Sequence, residues 1–233
     1  MLQRKMTDLV LIAGWVGLLA GAAAFCVAAR KSGVDATYLR DLIHVGAGAW
    51  ALGWPLWGSA LAPVGLGVAG AAATFAVPPL ASRAGVLGRF RDSISSATER
   101  WSGVRLYALS VAACTALGFA VSPLPAAAAL LALALGDGLG GLVGRRCGRH
   151  WFSPPGAKRK SLEGTAAVAL FSVLGIALAM LRFGAPLAAL PLAAGGAAAA
   201  LAEALAPEGT DNALLPAAVW LVLTALGSSG STG

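Results

Sequence analysis

Charge is scarce in this chain. Only 12% of its 233 residues are Asp, Glu, Lys or Arg, whereas a soluble domain carries about 25%, so this surface was not built to face water all round. Cysteine is scarcer still. Three thiols (Cys26, Cys114 and Cys147) cannot form a disulfide framework, and two of them lie inside apolar runs, as small hydrophobes in a reducing or lipid setting do. Glycine (31) and proline (12) are present without a G-X-Y period or a Ser/Gln-rich tract, which excludes collagen and disorder. No GxxxxGK[ST] run occurs, which excludes a P-loop nucleotide site. What the chain has in abundance is apolar side chains, 58% of the total, with a mean hydropathy of +0.78.

Those side chains fall into runs. A helix needs about 20 apolar residues to cross the hydrocarbon layer. Eight candidates occur, at about Leu9–Ala29, Leu42–Trp57, Ala60–Leu80, Val104–Val121, Pro125–Val143, Thr165–Leu181, Pro186–Ala206 and Leu214–Leu226. Several are short or broken by Gly and Pro, which membranes tolerate where neighbouring helices satisfy the backbone. The Ala- and Gly-rich stretch Ala193–Ala202 suits close helix–helix contact. The expected fold is all-α: a polytopic membrane protein of about eight spans forming one catalytic domain over residues 1–226. The first span reads as a retained helix rather than a cleaved signal. The segment Gly227–Gly233 (GSSGSTG) has linker composition and stands apart.

If the spans alternate, one side receives Arg30, Lys31, Arg40, Arg83, Arg89, Arg91, Arg100, Arg105, Arg145, Arg146, Arg149, Lys158, Arg159 and Lys160. That is 14 of the 17 basic residues, the other side keeping Arg4, Lys5 and Arg182. The positive-inside rule makes the first side cytoplasmic and puts both termini outside. It also explains the pI of about 10.0 without nucleic acid as a partner. Within the basic loops, Leu87, Phe90, Ile94, Ala97 and Trp101 recur at steps of three and four between charged residues, predicting an amphipathic helix at the membrane surface within Gly85–Gly103. Trp50, Trp54 and Trp57 share one face near the outer end of the second span and are expected to form an interfacial aromatic belt.

In such a chain the informative residues are ionisable ones within or beside spans, because they are costly there. Asp8, Asp35 and Asp92 have terminal or loop positions and need no function. Asp41 and His44 open the second span; a histidine there is commonly structural. Asp137 sits among glycines in Gly-Asp-Gly-Leu-Gly-Gly-Leu-Val-Gly144, where packing accounts for the glycines and not for the carboxylate. The loop that follows carries six basic residues and ends Lys160-Ser161-Leu-Glu163-Gly164. Ser161 as N-cap with lysines nearby makes an anion site, and Lys158 and Lys160 are point-charge partners for phosphate. Glu163 is an acid where topology asks for none. Glu203, Glu208 and Asp211 fall at the one cytoplasmic connection without Lys or Arg. Mg²⁺ is usually held by one or two carboxylates plus substrate phosphates, and Asp137, Glu203 and Asp211 would supply the carboxylates.

The run Asp137-x-x-Gly-x-x-x-Gly144-x-x-x-Gly148 followed by Lys160-Ser-x-Glu163-Gly164 resembles the nucleotide-binding signature of the CTP-dependent lipid-alcohol kinases, among them dolichol, phytol and farnesol kinases and CTP-dependent diacylglycerol kinases. Glu203-Ala-x-x-Pro…Asp211-Asn212-x-x-x-Pro216 resembles their closing motif, and Arg40-x-x-x-His44-x-x-x-Gly48 their opening one. Asp41 stands where that family usually has Lys, and Gly140 where it usually has Ala. The resemblance implies CTP as phosphate donor, Mg²⁺ held by Asp137 and Asp211, and phosphates held by Lys158 and Lys160. Ser161, Asn212 and the backbone at Gly144 and Gly148 would complete the nucleotide site. His44, with Glu163 or Glu203 as orienting group or proton acceptor, would complete the catalytic set.

The related CDP-diacylglycerol synthases share the Gly-Asp and Lys-x-x-Glu-Gly elements, but their closing Gly-His-Gly-Gly run is missing here. A small-solute transporter would instead favour midplane charges and inverted repeats; no repeat is visible. The expected partners are CTP and a lipid alcohol, at a cytoplasm-facing site in the inner membrane. Oligomeric state is open, a homodimer included.

Overall fold

Without water to satisfy its amides, a spanning chain must close its backbone hydrogen bonds internally, and helices dominate the computed structural model, which describes residues 2–80, 85–95 and 101–229. In order they are α1 (Leu2–Lys31), α2 (Ala36–Ala47), α3 (Ala49–Leu52), α4 (Leu61–Leu80), α5 (Val86–Ile94), α6 (Trp101–Ala120), α7 (Pro123–Ala132), α8 (Gly138–Cys147), α9 (Leu162–Arg182), α10 (Ala189–Leu205) and α11 (Asp211–Ser229). A two-stranded antiparallel hairpin, β1 (Trp151–Phe152) and β2 (Lys160–Ser161), pairs Trp151 with Ser161 and Phe152 with Lys160. Five helical segments among the described residues are long and apolar enough to cross a bilayer: Met6–Lys31, Leu61–Pro78, Trp101–Ala120, Pro123–Cys147 and Leu162–Arg182. Two shorter apolar helices, Ala189–Leu205 and Asp211–Gly227, complete the bundle. The polytopic all-α architecture is therefore the expected one, with α11 running a turn further than the sequence suggests.

The expected second span differs. It is α2, α3 and a 3₁₀ turn at Trp54–Leu56 laid end to end, broken at Gly48 and Gly53. Gly48 lies against Ala134 and Leu131, where a side chain would not fit. The break redirects Trp50, Trp54 and Trp57 inward, to 7%, 2% and 8% exposure. They form no interfacial belt. Trp50 donates its indole N–H to Thr115 (2.8 Å) and stacks edge-on against Trp15, while Trp54 occupies the space over Gly118 and meets Phe119. One face of α6 thus receives Trp50 and Trp54, with Trp57 against Trp50 at 5.7 Å, indoles that periodicity alone would send to the headgroups.

Helix ends alternate between two levels. Asp8 accepts from the Gly58 N–H (2.7 Å) and the Ser59 hydroxyl (2.8 Å), tying the start of α1 to the end of the interrupted span. Arg182 reaches the same level, donating to the Leu52 carbonyl (2.8 Å). At the opposite level the indole of Trp101, first residue of α6, donates to Thr74 near the end of α4 (2.7 Å). Arg40, Arg105, Arg145, Arg146, Arg149 and Lys158–Lys160 all belong to this second level. Arg83 and Arg100 lie outside the described residues. The amphipathic helix is present as α5, shorter than expected: Ile94 is buried against Cys26 and Leu39, with Phe90 beside it. Ala97 and Glu99 lie outside the described residues, and Trp101 belongs to α6.

The continuous rod of α7, a π-helical turn (Leu133–Asp137) and α8 packs antiparallel along α9 on a seam of small residues. Gly175 faces the Leu131 backbone, Gly136 meets Ser172, Gly140 meets Val168, and Gly144 meets Gly164. A methyl group at Gly140 would stand 3.0 Å from both Cα and N of Val168, tighter than packed cores allow. Gly140→Ala is expected to cost about 1–3 kcal/mol of overpacking and to lower the thermal unfolding temperature in detergent. Gly65→Ala, which has open space around it, should not.

Candidate active site

The π turn ends on Asp137. Its wider winding leaves carbonyls off the regular ladder, and two are taken up by side chains: His44 donates from Nε2 to Leu133 (3.2 Å) and Ser172 from its hydroxyl to Ala132 (3.3 Å). Because a carbonyl only accepts, Nε2 carries the proton in this arrangement. The same nitrogen stands 3.6 Å from the Asp137 carboxylate. His44 is itself held from behind. Tyr107 donates to its backbone carbonyl (2.7 Å) and stacks on its ring at 4.0 Å, and Gly138 lets α2 approach, with His44 and Val45 over its Cα.

Asp137 opens onto a cavity of about 320 Å³ at the basic level of the bundle. One wall is the face of α8 from Asp137 to Arg145, about 12 Å of helix at 1.5 Å per residue. Its other walls are Arg40 and His44 of α2, Lys158–Ser161 of the hairpin, and Glu203, Asp211 and Asn212 where α10 passes to α11. Segments more than 100 residues apart in sequence thus share one polar space.

Its electrostatics are set by incomplete pairing. Lys160 forms a short ion pair with Glu203 and stands 3.8 Å from Asp211. Burial pulls the Lys160 ammonium down, but the carboxylates of Glu203, Asp211 and Asp137 outweigh it and leave the group above its ordinary value of 10.5, so it is charged at neutral pH. Asp41 is paired with Arg145 on the rim, and Lys158 reaches Glu208 at 3.9 Å. Asp137 feels the charges of both Asp211 and Glu203 as well as Lys160 and Arg40. Asn212 is 3% exposed and fixed on three sides: Nδ2 donates to the Gly103 carbonyl (3.0 Å), its own carbonyl accepts from Ser110 (2.6 Å), and its N–H donates to Asp211 (3.0 Å). Its Oδ1 is buried and unpartnered, as is the Thr165 hydroxyl in the same cavity. Such orphans are costly unless something comes to meet them.

Of the residues singled out in the sequence, His44, Asp137, Gly144, Lys158, Lys160, Ser161, Glu203, Asp211 and Asn212 all line this cavity. Ser161 caps α9 by accepting from Gly164 (3.1 Å). Glu163 and Gly148 do not line it. Glu163 points outward and grips the loop, accepting from the N–H groups of Arg149 (3.0 Å) and His150 (3.3 Å) and pairing with the His150 ring (2.6 Å). Gly148 is where the chain leaves α8 against Ser161 and Trp151. Sequence reading missed Gly103, over which the Arg40 guanidinium lies, and Trp151, 42% exposed at the cavity with Arg159 stacked on its ring at 4.9 Å. An aromatic just after a glycine-ended helix in a basic loop was the available signal.

No protein-family model matches the chain, and no solved structure matches it. It is similar to the phytol kinase of Synechocystis sp., 38% identical over 151 residues that span 62% of this chain and 59% of that protein. The match thus covers less than two thirds of the relative.

The Lys160–Glu203 pair yields a stability prediction. Removing one partner of a buried pair strands the other and costs about 3–5 kcal/mol, less where cavity water helps. Lys160→Met is expected to lower the unfolding temperature clearly, and the double variant Lys160→Met with Glu203→Gln to recover part of the loss in the same melt.

Proposed function

We propose that this protein is an integral membrane kinase that transfers the γ-phosphate of CTP to the hydroxyl of a lipid alcohol, with Mg²⁺ as cofactor. The observation that carries the reading is the convergence of Asp137, Asp211, Glu203, Lys158, Lys160 and Asn212 in one cavity at one end of an otherwise apolar bundle. Similarity to a phytol kinase supports the lipid alcohol as acceptor. The positive-inside rule puts this level, and therefore the cavity, in the cytoplasm, where nucleotides are.

The residues fit a magnesium–triphosphate. Among the described residues no group of three or more His, Cys, Asp or Glu is gathered closely enough to hold a metal unaided. Mg²⁺ asks for less: one or two carboxylates, with phosphates and water filling the rest. Asp137 and Asp211 would hold it, the former 3.6 Å from the His44 Nε2 and the latter 3.8 Å from the Lys160 ammonium. Bound there, the ion would neutralise negative charge on the phosphates. Lys160 and Lys158 stand where phosphate oxygens would draw them from their carboxylate partners. The Asn212 Oδ1 and Thr165 hydroxyl give the nucleotide fixed hydrogen-bonding partners. Trp151, open at the mouth with Arg159 behind it, offers its other face to the base.

Phosphoryl transfer of this kind is mostly positioning and charge neutralisation, so the protein needs little covalent chemistry. The His44 Nε2 proton is committed to Leu133, which makes His44 a positioning residue for the π turn and Asp137. The acceptor's proton has two takers on this wall: Asp137, and Glu203 once phosphate draws Lys160 aside. Glu163 acts through the loop that carries the lysines.

The direct test supplies detergent-purified protein with CTP labelled at the γ or the α position. A kinase moves only γ label into lipid; α label in lipid signals a cytidylyltransferase, and label from neither removes the enzyme reading. Asp137→Asn keeps the packing volume and is expected to cut transfer by roughly 10²–10³-fold, the loss typical of deleting one preorganised charge-stabilising group, with an unchanged gel-filtration profile.

A further inference from the structure

A second, smaller cavity of about 40 Å³ adjoins the first and shares Arg40, His44, Gly103 and Asn212 with it. Beyond those residues its lining is apolar: Ile43 of α2, Ile94 at the end of α5, and Val104 and Tyr107 of α6. Ile94 is buried, while Ile43 and Val104 are half-buried, so the slot runs from the polar site toward the apolar flank of the bundle. At that flank lies the amphipathic helix α5, packed on α1 and α2.

We infer that this slot between α2, α6 and the end of α5 holds the hydroxyl-bearing end of a single-chain lipid alcohol, and that its width selects such alcohols over diacylglycerol. The inference rests on the kinase reading and concerns only the acceptor. The slot shares the wall of Arg40, His44, Gly103 and Asn212 with the phosphate cavity, so a chain lying in it would bring its terminal hydroxyl up to the wall whose other side faces the cavity that Asp137 lines. Its volume holds on the order of three water-sized spheres, room for a chain end one atom wide. In an isoprenoid allylic alcohol the carbon beside the carbinol bears only hydrogen, and the next bears a methyl group. In diacylglycerol the carbon beside the carbinol already carries an ester arm, which Ile94 and Val104 would meet. Transfer itself is balanced: the alcohol oxygen forms a bond to the γ-phosphorus, the β,γ-bridging bond breaks, and the hydroxyl proton goes to a carboxylate, leaving CDP.

The test uses full-length protein in detergent with γ-labelled CTP and two acceptors, farnesol and dioctanoylglycerol. Wild type is expected to favour farnesol by at least roughly tenfold in kcat/KM, the scale on which a pocket discriminates small steric differences. Val104→Trp is expected to raise the KM for farnesol by a similar factor and leave the KM for CTP unchanged, and Ile94→Ala to narrow the preference over dioctanoylglycerol. If Val104→Trp does not fold, Ile43→Phe narrows the slot from the α2 side with the same expected result. Equal use of both acceptors by wild type, or an unchanged farnesol KM in the narrowed variants, overturns the slot while the kinase reading stands. Label in neither acceptor overturns both.

Discussion

Three carboxylates brought together inside an apolar bundle repel one another, and the low-dielectric surroundings make that repulsion expensive. Asp137, Glu203 and Asp211 are held in this position with one ammonium, that of Lys160, reaching two of them. The rest of the architecture serves this arrangement. Each carboxylate comes from a different part of the chain: the π turn before α8, the end of α10 and the start of α11. None is placed by local sequence alone. A site with carboxylates at its centre, ringed by Arg40, Arg145, Lys158 and Arg159, presents charges of both signs. The proposed magnesium–triphosphate carries both signs as well.

Such convergence needs helices that approach closely, and the glycines provide it. Gly136, Gly140 and Gly144 recur every fourth residue, which keeps them on the side of the rod that meets α9; Gly138 and Gly141 face α2 and the cavity instead. The glycine cluster around Asp137 thus has two purposes, one of packing and one of access. The departures from the resembled family pattern have counterparts in the structure. Asp41 pairs with Arg145 on the rim, and Gly140 touches the backbone of α9 so closely that a methyl group would not fit.

Much of this was legible beforehand because ionisable groups stand out against an apolar background. Length and hydropathy located the spans, and the cost of burying charge picked out Asp137, Lys160, Glu203 and Asp211. What escaped were features set by tertiary direction. Trp50, Trp54 and Trp57 share a face that reads as an interfacial belt, and the break at Gly48 and Gly53 turns it into the core instead. Glu163 sits in the first turn of α9 between the cavity-lining Ser161 and Gly164, yet its side chain turns outward to the loop amides. Gly103 and Trp151 gave no periodic signal, since their roles come from contacts across the bundle, with Arg40 in one case and the cavity mouth in the other.

The two ends of the bundle also bear on what kind of machine this is. A transporter alternates access and needs polar groups along a route between both faces. Here the ionisable groups crowd at one level, whereas the bundle beyond Asp137 is closed by Leu130, Leu131 and Leu133 and, further on, by Trp50, Trp54 and Trp57. Two of those indoles pack on α6, Trp50 through Thr115 and Trp54 over Gly118. The arrangement is that of a polar cavity at one level of the bundle, adjoined by a small apolar slot beside Ile94 and Val104. For the proposed kinase, polar access at one level beside a lateral apolar slot would let a water-soluble donor and a membrane-bound acceptor meet without either crossing the bilayer.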